Sequence, residues 1–451
     1  MTLRGFGIKG NIARFSIAIN RGSEALPTGA KRAFIARAVT LPMSTISGLV
    51  AVRVTVSTLG VNGYALFALV VGLAALNPVG DLGVGAAVTD AVARRRELGI
   101  KAVEEVIRTS LRVLIVASVV VIFIIWFFAM FGLWAWVLGT PNSLQIEIAT
   151  AASLTLFAVG LPLGLCYRVL LGAERSEIAL VFQSAASVVT LLIILLCAMT
   201  NAPLWAYVVA PSASAVFAAI AALPLASATS GISLTEVVHS VWIRANSGAK
   251  IAHLAVPMMV ITAALPFAYQ SDRILLSHFS NLGQVAIYSL GAQLFAAVSG
   301  LVGAAGMTLW PSFARRRGHQ PVLRQEWKKL TFIFTLLGAI LAVLLIAIGP
   351  WVAQFVSKGK LNIGYGVFGS FGLLLVVQAS WFPSAMLLTD HAGLKFQAVT
   401  HAVMMIANVG ASAVLAHYIG AAGPVIGSVG ASFFAVWLPG VHRALTYTER
   451  K

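Results

Sequence analysis

The chain has 451 residues, of which 59% are hydrophobic and only 10% charged, with a formal net charge of +17. A soluble chain carries about a quarter charged residues, so this composition excludes a soluble enzyme or binding module and points to a protein that crosses the bilayer many times. The positive balance does not mark a nucleic-acid binder, because no folded basic module is present and the Lys and Arg residues gather in every second short connection, as the positive-inside bias requires.

Residues 1–30 are a basic tail whose Phe6 to Ile19 run suits either a surface-lying amphipathic helix or disorder. Six bilayer-length apolar spans follow at 33–58, 63–92, 110–138, 146–171, 177–199 and 203–226. A second six lie at 250–278, 284–313, 329–355, 363–389, 395–418 and 422–444. The connections near residues 60, 141, 201, 280 and 420 lack Lys and Arg, with one exception at Lys358 and Lys360. The alternate connections carry Arg94-Arg95-Arg96, Arg175, Arg244 with Lys250, Arg315-Arg316-Arg317 and Lys395. Both termini and these basic loops are therefore expected on the cytoplasmic side of the membrane. Between the halves, Ser233-Leu234-Thr235-Glu236 fits a capping box and predicts a short amphipathic helix over 234–246.

The expected architecture is an all-α membrane protein of about twelve transmembrane helices in two parallel six-helix lobes around a central cavity. The lobes are expected at 31–227 and 250–445, joined by a cytoplasmic linker at 228–249, with a short tail at 446–451. Two repeated copies explain an internal echo. Arg53 and Arg273 stand 220 residues apart, Ser57 matches Ser277 at the same offset, and the Arg94 and Arg315 triplets match within one residue of it. Six helices per copy is an even number, so both copies enter the membrane in the same direction.

Charges at membrane depth are costly and mark function by default. Asp272 and Arg273 sit side by side inside an apolar run, and Asp81 is the other acid placed deep in a span. Arg53 and Arg273 are expected to face each other across the upper cavity, whereas Arg37 also suits a role as a cytoplasmic anchor. Asp272 has Arg53 and Arg273 as candidate partners, or a proton. Breaks mark helices 1, 2, 7 and 8: Asn77-Pro78-Val79-Gly80-Asp81-Leu82-Gly83 in the second, Pro257 and Pro266 in the seventh, Gly300, Gly303 and Gly306 in the eighth. Pro78, Gly83 and Pro266 are thus candidate hinges and Asp81 a candidate coupling acid, although single glycines also serve simply to pack neighbouring helices. Cys166 and Cys197 have no disulfide or metal-ligand spacing, the eight histidines are scattered, and no signal-peptide pattern opens the chain. No metal or cofactor is expected.

Asp81-Leu82-Gly83-Val84-Gly85, the Ala-Arg-Arg-Arg that follows, Asp272-Arg273-Ile274-Leu275-Leu276 and Gln284-Val285-Ala286-Ile287-Tyr288 resemble the polysaccharide-transporter branch of the multidrug/oligosaccharidyl-lipid/polysaccharide exporter superfamily, the branch of the Wzx-type flippases. The resemblance covers about residues 30–445. It implies a cationic cavity and a sugar carried on a polyprenyl phosphate or pyrophosphate as substrate. Membrane lipid, polysaccharide assembly proteins and H+ or Na+ as coupling ion would be its partners. Arg53, Arg273, Arg37 and Asp272 would line the substrate site. The chain ends after twelve helices, whereas related lipid II flippases usually carry two more. The rival reading is a cation-coupled multidrug exporter working through Asp81 and Asp272. A membrane glycosyltransferase is disfavoured by short outer loops almost free of acids, and a scaffold without transport is a further alternative.

Overall fold

A 48-residue helix spans about 72 Å, more than twice the hydrocarbon core of a bilayer, so the first helix of this protein cannot be a single crossing. The computed structural model describes residues 28–75, 83–242, 252–315 and 320–449. The first half runs α1 (Thr28–Ala75), α2 (Val84–Ala93), α3 (Arg95–Leu98), α4 (Ile100–Met130) and α5 (Leu133–Val137). It continues with α6 (Leu144–Leu163), α7 (Leu165–Gly172), α8 (Ser176–Met199) and α9 (Leu204–Ser230). After the short α10 (Leu234–His239) the second half has α11 (Ala252–Phe279), α12 (Leu282–Met307), α13 (Leu309–Arg315) and α14 (Gln320–Ser357). It closes with α15 (Tyr365–Leu387), α16 (His391–Ile419), α17 (Ala422–Ala431), a π-helical turn Ser432–Trp437 and α18 (Leu438–Glu449). No strand occurs among the described residues.

Gly60 folds α1 back on itself. Its φ of 73° and ψ of −175° lie far from helical values and are open only to glycine at low cost. Gly48 and Val52 before it, and Ala68 and Val71 after it, line one and the same cavity, which a straight helix would hold tens of ångströms apart. Ten helices among the described residues are long and apolar enough to cross a membrane, Ile35–Ala75 among them as one. Dividing that one at Gly60, and adding the 28-residue α11, gives the twelve crossings expected from the sequence.

Several boundaries differ from the sequence expectation. The third crossing starts at Ile100 rather than 110 and stops at Met130, with α5 split off after Gly132, whose φ of 67° is left-handed. Glu147 explains why that short turn persists. Its carboxylate accepts from the amides of Trp134 at 3.2 Å and Ala135 at 2.7 Å, which are first-turn donors that a helix cannot satisfy internally. The linker helix ends at His239 instead of 246, although Ser233 does accept from the Glu236 amide at its start.

The two ends of the bundle differ in chemistry. At the basic end lie Arg94, Arg95, Arg96, Arg175 and Lys395. At the far end the chain turns near Gly60, Pro141, Asn201, Asn281 and Gly420. Packing follows the same division. Toward the far end one apolar core joins both lobes, with Val52, Val56, Tyr64 and Leu69 against Leu276, Val285, Tyr288 and Val356. Toward the basic end each lobe has its own core, around Val88, Ile107, Val169 and Ala222 in the first and Phe313, Trp327, Leu375 and Ala444 in the second. Burying shared apolar surface holds the lobes together, so the molecule is clamped at the far end and divided at the basic end.

Candidate functional site

Helices α1, α11 and α12 carry the residues that build the space between the lobes. A cavity of about 470 Å³ lies there, lined by Gly48 and Val52 from the first leg of α1 and by Tyr64 and Ala68 from the second. Gln270 and Arg273 from α11, Gln293 from α12 and Ser428 from α17 complete the wall. A second cavity of about 780 Å³ lies toward the basic end, walled by α6–α9, with Arg37 from α1 and Ala304, Met307 and Thr308 from α12 and its end. Arg168, Tyr167 and Gln183 are its other notable polar groups.

Arg273 owes its position to Gly72. A Cβ at residue 72 would come within 2.8 Å of Nη1 and 3.1 Å of Cδ of Arg273, so only glycine lets the side chain lie across the second leg of α1. Its Nη1 donates to the Ala68 carbonyl at a long 3.5 Å, and its buried Nε has no hydrogen-bond partner. A guanidinium carries five donors in a planar fork, so most of this one's capacity faces a cavity without an engaged acceptor.

Asp272, one residue earlier, points the other way into the second lobe and is fully buried. One carboxylate oxygen accepts from the Tyr288 hydroxyl at 2.9 Å and lies 3.4 Å from the Ser428 hydroxyl. The other, Oδ1, has no hydrogen-bond partner. Around it stand Asn408, which donates to the Ala268 carbonyl at 2.7 Å, and Ser412, which donates to Asn408 Oδ1 or the Pro424 carbonyl at 3.2 Å. The adjacent positions therefore diverge. Successive residues on a helix project about 100° apart, and that angle sends Arg273 to the seam and Asp272 to the lobe interior.

The expected opposition of Arg53 and Arg273 is not what the fold brings together. Arg53 lies at the far-end seam, where Nη1 donates to the Phe355 carbonyl at 2.5 Å and the guanidinium covers the Phe355 ring at 4.5 Å from its centroid. The last carbonyls of a helix lack internal partners and favour cations, and α14 ends two residues later at Ser357. Neither Arg53 nor Arg273 forms an ion pair with Asp272, whose bonded partners are hydroxyls, and Asp272 itself lines neither cavity. Of the residues expected at the substrate site, Arg53 here makes a seam contact and Asp272 belongs to an internal polar cluster. Arg37 lines the cavity near the basic end. Gly83, with φ 72° and ψ −4°, starts α2, and Pro266 is half-buried inside the continuous α11. Pro78 and Asp81 lie outside the described residues. Gly303 and Gly306 pack against Phe382 within their own lobe, the packing role glycines commonly take.

Sequence reasoning quoted Tyr288 within a motif without giving it a role and passed over Asn408, Ser412 and Ser428, because hydroxyls and an amide in apolar spans carry no signal until a carboxylate is placed beside them. It also passed over His278. Lys360 was legible as the one break in the charge bias, and its ammonium donates across the seam to the carbonyls of Val56 at 3.3 Å and Ser57 at 3.4 Å.

The arrangement has known counterparts. An inward-facing multidrug-resistance MATE family transporter of the MOP superfamily superposes with a TM-score of 0.71 at 14% identity, over 93% of this chain and 99% of its own. The lipid II flippase MurJ, in an inward closed conformation, gives 0.68 at 12% identity over 92% and 88%. A Vibrio cholerae MATE transporter gives 0.61 at 16% identity over 94% and 96%. At these identities the likeness is one of fold. No curated protein matches the chain in sequence at a significant level. The family model described as "Polysaccharide biosynthesis protein" matches residues 36–317, more than half of the chain. The chain therefore belongs to the polysaccharide biosynthesis protein family, and its many apolar helices take the fold shared by MATE transporters and the MurJ flippase.

Proposed function

We propose that the protein flips a sugar or oligosaccharide linked to a polyprenyl phosphate or pyrophosphate across the bacterial plasma membrane, for assembly of a cell-surface polysaccharide. The observation that carries this reading is the charge of the cavities. Among the described residues, their linings hold Arg37, Arg168 and Arg273 and no carboxylate. An arginine fork matches phosphate oxygens bidentately, and apolar walls strengthen that attraction relative to water. A cationic drug would meet repulsion from these arginines, which disfavours the multidrug-exporter reading. The basic end is assigned to the cytoplasm by the positive-inside bias. In that orientation the larger cavity accepts the headgroup from the synthesis side, while the polyprenyl chain stays in lipid.

The Asp272 cluster is assigned the coupling role. A bare carboxylate buried with one oxygen unpartnered is costly, and a proton or a sodium ion at Oδ1, beside Asn408 and the hydroxyls of Ser412 and Ser428, would relieve that cost. The cluster borders the cavity through Tyr288 and Ser428, so its occupancy is placed to influence how α11, α16 and α17 pack.

The test is reconstitution. Proteoliposomes containing the full chain should translocate a fluorescent polyprenyl-pyrophosphate sugar and leave a cationic dye where it is. Dye efflux without sugar translocation would reverse the assignment in favour of drug export. For the orientation, Cys166 and Cys197 are buried, which keeps background labelling low. In whole cells, an impermeant maleimide should label Asn281→Cys and miss Ser240→Cys. The opposite pattern would invert the topology.

A further inference from the structure

Beyond Arg273, three side chains among the described residues cross the seam nearer its far end, and all three reach backbone carbonyls. Arg53 of the first lobe meets the Phe355 carbonyl near the end of α14, and Lys360 of the second meets Val56 and Ser57 just before the Gly60 turn. Each lobe thus supplies a cation to chain ends of the other. The third is His278, one residue before the end of α11. Its Nε2 lies 3.0 Å from the Trp136 carbonyl of the first lobe, and its Nδ1 lies 2.9 Å from the Ile274 carbonyl of its own helix.

A carbonyl oxygen only accepts, and a neutral imidazole has a single N–H. Whichever tautomer forms, one of the two nitrogens then opposes a carbonyl without a proton between them. Both short contacts are satisfied together only when the ring is an imidazolium, with a donor on each nitrogen. We propose that His278 is a proton-binding site that controls the far-end door, being fully engaged across the seam when protonated and half-engaged when neutral. Arg53 and Lys360 are the other members of the same latch.

The surroundings leave this proton to the histidine. The facing segment, 131–145, contains no Asp, Glu, Lys, Arg or His. Among the described residues no carboxylate lies within 4 Å of the ring. Glu147, which follows that segment, is bonded to the Trp134 and Ala135 amides. Gly139 also stands against the ring, and a Cβ there would come within 2.9 Å of Nδ1. The charged groups on the remaining elements at this end are Arg53, Lys358 and Lys360, together with Asp272 and Arg273 on its own helix, and His417 near the end of α16 is the other imidazole there. The Trp136 carbonyl belongs to α5, which Glu147 holds in place, so the acceptor does not drift to follow a neutral ring.

Protons then bind the shut form more tightly than the open one, and by linkage acidification shuts the far end. With that end outside the cell, the acidic side of the membrane returns the carrier to its cytoplasm-open state. The inference requires only that the lobes separate at the far end, whatever the substrate, so it stands or falls apart from the assigned cargo. Spin labels on Asn142→Cys and Asn362→Cys, with Cys166 and Cys197 replaced by alanine and the full chain in nanodiscs, report that separation. Between about pH 8 and pH 5.5, the range in which histidine changes charge, the ratio of short to long distances should rise about tenfold, the equivalent of one hydrogen bond to a charged donor. His278→Gln, with a single donor face, should stay at the high-pH ratio throughout, and His278→Arg should stay shut throughout. A wild-type ratio that does not change with pH overturns the proposal, as does a pH response that survives in His278→Gln.

Discussion

Replacing Arg273 by alanine is expected to lower transport of a polyprenyl-linked sugar about one hundredfold, the loss of two hydrogen bonds between charged groups at about 1.5 kcal/mol each. Folded protein in the membrane should stay near the wild-type amount, because the side chain makes one long hydrogen bond, to Ala68, and removing it opens no tightly filled site. Arg273→Lys should recover only part of the rate, since it keeps the charge and loses the planar fork. The measurement is initial flipping rate in proteoliposomes, normalised to monodisperse protein. An alanine variant that flips at the wild-type rate would remove Arg273 from the substrate path. One that fails only by losing yield would make Arg273 a packing residue. Arg53→Ala should behave differently. Its contacts are to Phe355 at the seam, so the change should act on the balance between open and shut forms.

The second large effect concerns Asp272. Asparagine has nearly the same shape and keeps an oxygen for the Tyr288 hydroxyl, so Asp272→Asn should assemble normally. It cannot take up a proton at physiological pH or hold a cation by charge. Flipping should therefore stop responding to an imposed proton or sodium gradient, with the driven rate falling to that seen without a gradient. Comparing the two gradients separately identifies the ion. A full gradient response in Asp272→Asn would exclude Asp272 as the coupling group. The Asp81→Asn, Asp272→Asn double variant then decides whether Asp81 carries the role instead.

Composition and apolar spacing were enough to specify the class and about twelve crossings. These rest on the cost of placing backbone and charge in hydrocarbon, and that cost is local to each segment. The same local physics singled out Asp272 and Arg273, because charges in an apolar run stand out wherever they point. It could not say where they point. Adjacent helix positions diverge by about 100°, so one ion-pair motif in the sequence became a cavity arginine and a lobe-interior carboxylate. The internal echo led equally to the expectation that Arg53 and Arg273 are equivalent, yet matching positions in the sequence do not impose a shared environment. Arg53 meets the end of α14, and Arg273 meets the groove left by Gly72. The acceptors of Arg53, Lys360 and His278 are backbone carbonyls, which every residue possesses and no sequence pattern can mark. Only the packing of the two lobes decides which of those carbonyls is left at a helix end facing a cation on the other side.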